Sequence, residues 1–287
     1  MQRTLSQAFD DFHKKLVPSS YESGKASSHK GSIENCLAEN YSLRQLFYSG
    51  SAQNGTSISK HSDVDFFAVI PYYNLKDDSS QQLREIKECL QSRFPLTHIY
   101  VDNPAIVIDF GSYDWDTCEI IPANLLGDDT YQIPGQNGGW IKSSPKIHKA
   151  YVTEHHQRLN NKLKPLIRFL KAWKYFCNVP ISSFYLELCA TELMKKETCI
   201  VYDIDIVTII NYLYTSNLPR LQDPCGISGS INPCSSETNR QIALNKLRTA
   251  KELLDSAKSY KCNKDMFEVF ECWNKFFGGK FPSYYYY

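Results

Sequence analysis

The sequence predicts an α+β protein, a mixed lobe of strands and helices followed by a lobe that is almost wholly helical. In the first half, short β-branched and aromatic runs such as VDFFAVI (64–70) and AIVIDF (105–110) alternate with helix-period stretches. That alternation marks a sheet covered by helices. From residue 146 onward the apolar positions recur at helical spacing nearly to the end of the chain. The Ser-Ser-Pro turn at 143–145 separates the two, so the expected division is 1–144, including an N-terminal helix, and 145–287.

Within the first lobe, Leu5, Phe9, Phe12 and Leu16 fall on one helical face. Residues 19–31 (SSYESGKASSHKG) and 223–238 (DPCGISGSINPCSSET) read as mobile surface, being rich in Gly, Ser, Pro or Asn. Residues 33–40 read as a helix capped by Ser32, and 43–48 and 64–70 as strands. A helix is expected over 82–94, and strands over 105–110 and 117–121, joined through GSYDWD. In the second lobe the expected helices are 146–174 (broken near Asn160), 183–195, 203–214, 237–260 and 264–277. Asn263 suits an N-cap and Gly278-Gly279 a helix stop.

With 287 residues, 42% of them hydrophobic, the chain can bury a sizeable core. Its net charge of +1 weighs against a protein that wraps long nucleic acid. Ten cysteines without a CxxC pair read as buried, reduced thiols rather than a disulfide framework or a zinc module. No signal peptide and no membrane-spanning run is read, so a cytoplasmic protein without a membrane partner is expected.

The stretch GSAQNGTSISKHSDVDFF, residues 50–67, carries the chemistry. Residues two apart in a strand point to the same side, roughly 6.6 Å apart along it. Asp63 and Asp65 can therefore aim both carboxylates at one place, with Val64 turned into the core. Two such carboxylates repel each other unless a cation lies between them, and magnesium prefers one or two carboxylates plus phosphate oxygens. Upstream, Gly50 lets the backbone approach a phosphate closely, and Ser51 adds a hydroxyl donor. Loop and paired acids together make a site for a metal–triphosphate.

On these residues the stretch resembles the nucleotidyltransferase superfamily typified by DNA polymerase beta, with a Gly-Ser on a short helix and Asp-x-Asp on the next strand. The resemblance implies a polymerase-beta-like lobe plus a helical lobe with the active site in the cleft between them. It also implies nucleotidyl transfer with two magnesium ions, manganese being an alternative. A third acid completes such a site, and the candidates are Asp109, Asp114, Asp116 and Glu119. Asp114 and Asp116 read as solvated turn residues. In the oligoadenylate-synthetase-like branch the third acid precedes two apolar residues and Pro-Ala; here that context is Glu119-Ile120-Ile121-Pro122-Ala123. Glu119 thus stands where the family has aspartate, with Asp109 in reserve.

The segments YQIPGQNGGWIKSSPKIH (131–148), NNKLKPLIRFLKAWKYF (160–176), ISSFYLEL (181–188) and CWNKFFGGKFP (272–282) narrow the branch. In their order they resemble the bacterial cGAS/DncV-like nucleotidyltransferases with a second-messenger oligonucleotide or dinucleotide synthetase domain. That resemblance implies that Lys171 and Ser183 bind the triphosphate, Phe184 stacks on the donor base, and Gln53 and Thr56 shape the phosphate loop, with Lys142 a further phosphate candidate. It implies a monomer that joins nucleoside triphosphates (ATP, GTP, CTP or UTP) into a cyclic oligonucleotide, a dinucleotide first. The product would activate a separate effector in antiphage signalling, with no obligatory nucleic acid. The rival readings are a nucleotidyltransferase acting on an RNA end, a protein or a small molecule, and a degenerate nucleotide-binding regulator.

Overall fold

Alternating burial builds the sheet of this protein, as seen in a computed structural model that describes residues 1–111, 116–227 and 229–286. After α1 (Leu5–Leu16), the chain runs through α2 (Ser20–Tyr41), β1 (Gln45–Tyr48), α3 (Gly50–Asn54), β2 (Val64–Val69) and α4 (Ser79–Arg93). Then follow β3 (His98–Asp102), β4 (Ala105–Asp109), β5 (Thr117–Gly127), β6 (Thr130–Pro134) and β7 (Trp140–Ser143). The strands form one seven-stranded sheet in the order β1-β2-β5-β4-β3, with β6 paired to β5 and β7 to β6. Among the described residues only β2 and β5 run parallel; the other pairs of this sheet are antiparallel.

The two faces of this sheet have different company. Phe66, Ala68, Ile106, Ile108, Cys118 and Ile120 share a core with Ile33, Cys36 and Leu37 of α2 and Leu83, Ile86 and Leu90 of α4. On the opposite face, Phe67 and Val69 cluster with Ala123, Tyr131 and Ile133. Period-two alternation puts Asp65 on that second face with Phe67 and Val69.

The expectation for residues 19–31 is corrected: they are not mobile surface but Ser19 as N-cap and the first half of α2, closed by a capping box between Ser19 and Glu22. The segment misled because its Gly and Ser residues are weak helix formers and its contacts are polar, so no apolar stripe marks it. Strands β3, β6 and β7 also went unread, and β5 runs on to Gly127 rather than stopping at residue 121.

The chain divides into one unit of Pro18–Tyr151 and another of Met1–Val17 with Val152–Tyr287. This differs from the expected division at 144/145, because the N-terminal helix belongs to the helical unit. Its residues Leu5, Ala8, Phe9, Phe12 and Leu16 are buried. Phe9 alone meets Phe169, Trp273 and Phe281 with ring centroids 5.0–5.1 Å apart. The chain passes between the units along α5 (Pro145–Arg158) and continues into α6 (Leu163–Phe176), α7 (Ser183–Met194), α8 (Tyr202–Thr215), α9 (Glu237–Cys262) and α10 (Met266–Phe276). Left-handed Asn160 and Asn161 make the expected break between α5 and α6. One cap differs from expectation: Asp265, not Asn263, caps α10.

The second stretch read as mobile holds a short hairpin, β8 (Leu221–Gln222) with β9 (Ser230–Ile231). In it the buried Asp223 accepts hydrogen bonds from the Cys225 and Ile227 amides. All ten cysteines are free thiols; Cys36, Cys118, Cys189 and Cys272 are buried, while Cys199 and Cys262 are exposed. Among the described residues no helix is long and apolar enough to cross a membrane.

Phe9 is 1% exposed at the centre of the aromatic cluster. Phe9→Ala is expected to cost about 3–5 kcal/mol, read as a lowered unfolding midpoint in denaturant followed by circular dichroism.

Candidate active site

The parallel pairing of β2 with β5 sets Glu119 directly beside Asp65. Paired residues on neighbouring strands point to the same face, about 4.8 Å apart. Asp63 lies two positions before Asp65 and emerges on that face too. All three are half-buried. The Glu119 carboxyl shares hydrogen bonds with Asp63 and Asp65, and its pKa is pushed up to about 9 by burial first and then by the charges of those two aspartates. The acid that joins the pair is therefore Glu119.

The other candidates do not join it. Asp109 lies on the same face but is engaged elsewhere, 2.9 Å from His98 Nδ1 and accepting from Thr117 Oγ1 at 3.3 Å. The β4 residue opposite Glu119 is Val107. Asp114 lies outside the described residues. Asp116 corrects the expectation of a solvated turn residue, being 4% exposed and bound by Lys25 Nζ at 3.0 Å and His29 Nε2 at 2.9 Å. Burial works to raise its pKa, but those two partners hold it below the ordinary carboxylate value.

Converging carboxylates need a proton or a cation between them. The all-oxygen donor set of Asp63, Asp65 and Glu119 fits a hard divalent cation such as magnesium or manganese. Two further polar atoms nearby in the chain, Ser49 Oγ and Gln53 Oε1, are buried with no hydrogen-bond partner among the described residues. The Ser49 amide itself donates to the Asp65 carbonyl at 2.8 Å, which ties the phosphate-loop candidate to β2.

Gly50 explains itself sterically. Its φ is +50°, and a Cβ built there would sit 2.1 Å from Asp65 Oδ2. Only glycine allows the loop to pass so close to the carboxylate in that conformation. Ser51 Oγ lies 3.1 Å from Ser57 Oγ, and the Thr56 amide donates to the Ser51 carbonyl at 3.0 Å. Thr56 is fully buried.

In the helical unit the assignment of Lys171 is corrected. It is 2% exposed, and its Nζ donates to Glu187 Oε2 at 2.8 Å. Lys171 is four residues beyond Ile167 and shares that residue's inward face. Lys174 instead reaches Ser183, with Nζ 2.8 Å from Ser183 Oγ and 4.7 Å from the centre of the Tyr175 ring. Phe184 is 39% exposed. Lys142 lies on β7, exposed, paired in register with Gln132.

Sequence reasoning missed Lys174 and Tyr100. Lys174 lies one helical turn beyond Lys171 and, unlike it, is only half-buried, a difference that spacing along the helix does not reveal. Tyr100 pairs with Val107, and Val107 with Glu119, so Tyr100 lies in the transverse row that ends at Asp65. Its phenol is pushed above its ordinary value by burial and by Asp109, Asp102, Glu119 and Asp63. Without β3 in the reading, no sequence signal placed it there.

Two outcomes are expected from this geometry. Gly50→Ala should lower turnover by about 100-fold, because displacing a metal-binding group by about 1 Å costs that much. Its melting temperature should change far less. Separately, the native protein without added metal holds a proton at Glu119 up to about pH 9, whereas the unfolded chain loses it near the ordinary glutamate value of 4.5. The unfolded state therefore binds fewer protons across that window, and stability falls as pH rises through it. A divalent cation should raise the melting temperature more at pH 8 than at pH 6, and Glu119→Gln should flatten the pH dependence.

Comparison with known proteins identifies the family of the chain. A family model described as the Second Messenger Oligonucleotide or Dinucleotide Synthetase (SMODS) domain matches residues 3–155, more than half of the chain. A probable cyclic nucleotide synthase of Bacillus cereus (strain VD146) is 26% identical over 338 aligned positions, covering 99% of this chain and 99% of that protein. A cyclic AMP-AMP-AMP synthase of Acinetobacter is 22% identical, over 97% of this chain and 86% of that one. Among solved structures, CdnC of E. coli MS115-1 with ATP matches at a TM-score of 0.75 and 17% identity, over 96% of this chain and 98% of that one. The fold is accordingly that of the cGAS/DncV-like nucleotidyltransferases, and the chain belongs to the second messenger oligonucleotide or dinucleotide synthetase family of nucleotidyltransferase enzymes.

Proposed function

We propose that this enzyme joins nucleoside triphosphates into a cyclic oligonucleotide with release of pyrophosphate, a cyclic dinucleotide being the expected product. The observation that carries the reading is the single cluster formed by Asp63, Asp65 and Glu119 across the parallel β2–β5 pair. Asp63 and Asp65 would hold two magnesium ions, and Glu119 would complete the set for one of them. Bound divalent cations supply Lewis-acid activation at the α-phosphate and at the attacking hydroxyl. With a cation bound and its own proton displaced, Glu119 would receive the proton of that hydroxyl. Gly50 and Ser51 give the phosphates close backbone approach and a hydroxyl donor, with Gln53 and Thr56 shaping the loop.

In the helical unit, Lys174 and Ser183 form a cation–hydroxyl pair suited to a phosphate, and the exposed Phe184 ring suits a nucleobase. Lys171 serves the core of that unit through Glu187. The product would activate a separate effector protein in bacterial antiphage defence, in a cytoplasmic enzyme that acts as a monomer. A three-nucleotide ring is the second reading, supported by the Acinetobacter relative that is named a cyclic AMP-AMP-AMP synthase.

The test supplies purified protein with all four nucleoside triphosphates, each α-labelled in turn, with magnesium and then manganese. Phosphatase treatment precedes chromatography against cyclic di- and trinucleotide standards. A phosphatase-resistant product is expected, abolished by chelator and by Asp63→Asn with Asp65→Asn. Glu119→Gln should lower it at least 100-fold, a loss of about 2.7 kcal/mol of transition-state stabilisation, and Asp109→Asn only a few-fold. Lys174→Ala should raise KM for the triphosphate more than it lowers kcat. Label found only in linear products, or transferred to an added RNA or protein, would overturn the synthase reading.

A further inference from the structure

The N-terminal half of α2 touches both chain segments that deliver the three acids. Glu22, Lys25 and His29 are spaced three and four apart and so share one side of the helix. The Glu22 carboxylate accepts from Ser59 Oγ at 3.0 and 3.2 Å and from the Lys60 amide at 2.8 Å. Lys60 is left-handed at φ +64°, a conformation that a lysine adopts only when held there. The turn is further closed by the Ile58 amide donating to Ser62 Oγ at 2.9 Å, and Asp63 is the next residue.

Seven residues beyond Glu22, His29 lies flat on Phe110, with ring centroids 3.9 Å apart and planes 4° from parallel. Its Nε2 and Lys25 Nζ engage the two oxygens of Asp116, at 2.9 and 3.0 Å. Asp116 opens the run into β5 that reaches Glu119 three residues later. The fit is close: a Cβ at Gly111 would meet Asp116 Oδ2 at 2.3 Å. The far half of α2 is clamped to the sheet core through Ile33, Cys36 and Leu37. The helix thus ties two segments remote in sequence to one rigid rod.

We propose that Glu22, Lys25 and His29 are positioning residues of the catalytic cluster: Glu22 fixes the turn that aims Asp63, and Lys25 with His29 fixes the strand entry that aims Glu119. A low-propensity, glycine- and serine-rich helix is retained here because its polar side sets the spacing of the acids. Catalytic geometry of this kind tolerates errors of only about 0.5 Å. The inference rests on the reading of Asp63, Asp65 and Glu119 as the catalytic acids.

The experiment compares Glu22→Ala, Glu22→Gln, Lys25→Met with His29→Gln, and Ser19→Ala. Ser19→Ala removes a helix-cap partner and leaves the contacts of Glu22 with Ser59 and Lys60. Steady-state turnover, melting temperature and manganese affinity by calorimetry without nucleotide are measured for each. Glu22→Ala is expected to lower kcat about 10- to 100-fold with KM changed less than about three-fold, and to weaken manganese binding. Glu22→Gln, which still accepts from Ser59 and Lys60, should restore most of both. The Lys25/His29 variant should show the same split, and Ser19→Ala should lower stability alone. If Glu22→Ala and Ser19→Ala lose stability alike while kcat and manganese affinity stay at the parent values, the stripe is structural only and the proposal fails. If the parent makes no product, the synthase reading fails, and the manganese titration still decides whether α2 positions the acids.

Discussion

The parallel pairing of β2 with β5 is the constraint on which the rest of the first unit depends. Among the described residues it is the one parallel pair in the sheet, and it sets Glu119 against Asp65. Three carboxylates gathered in a half-buried place repel one another, so the fold must hold them by force from elsewhere. That force is the core on the other face of the same strands, where Phe66, Ala68, Cys118 and Ile120 are buried against α2 and α4. Hydrophobic burial of one face thereby holds charges together on the opposite face. A shift of one residue in either strand would exchange the faces and undo both at once.

The loop before β2 is built to the same tolerance. Gly50 passes so close to Asp65 that a methyl group would overlap its carboxylate. The nearby buried Ser49 hydroxyl and Gln53 carbonyl have no internal partners among the described residues. Polar atoms left in that state are uncommon in folded proteins, and these two lie in the short segment around Gly50. The proposed site for phosphate oxygens and cations would give those atoms partners and explain the need for glycine.

The helical unit shows how one helix can place two lysines in opposite roles. Lys171 and Lys174 are three residues apart on α6. The first is buried with Glu187, an ion pair whose desolvation must be offset by good geometry. The second stands beside Ser183 at the start of α7. Breaking the buried pair would leave an uncompensated charge in the core, so Lys171 matters to that unit's integrity, whereas Lys174 is the lysine assigned to phosphate in the proposed function.

The sequence by itself determined the α+β class, the helices of the second half, the Asp-x-Asp pair and the glycine before it. These are local patterns: strand and helix periods, a cap, two residues two apart. The resemblance of residues 119–123 to the family's third-acid context also favoured Glu119, with Asp109 in reserve. What only the tertiary structure decided was which acid actually meets the pair, which lysine meets Ser183, and that residues 19–31 form a helix rather than a mobile surface. It also decided that α1 belongs with the helical unit. Each of these depends on contact between segments distant along the chain. Register between strands and the choice of polar partner arise from the packing of the whole unit, and no window of neighbouring residues encodes them.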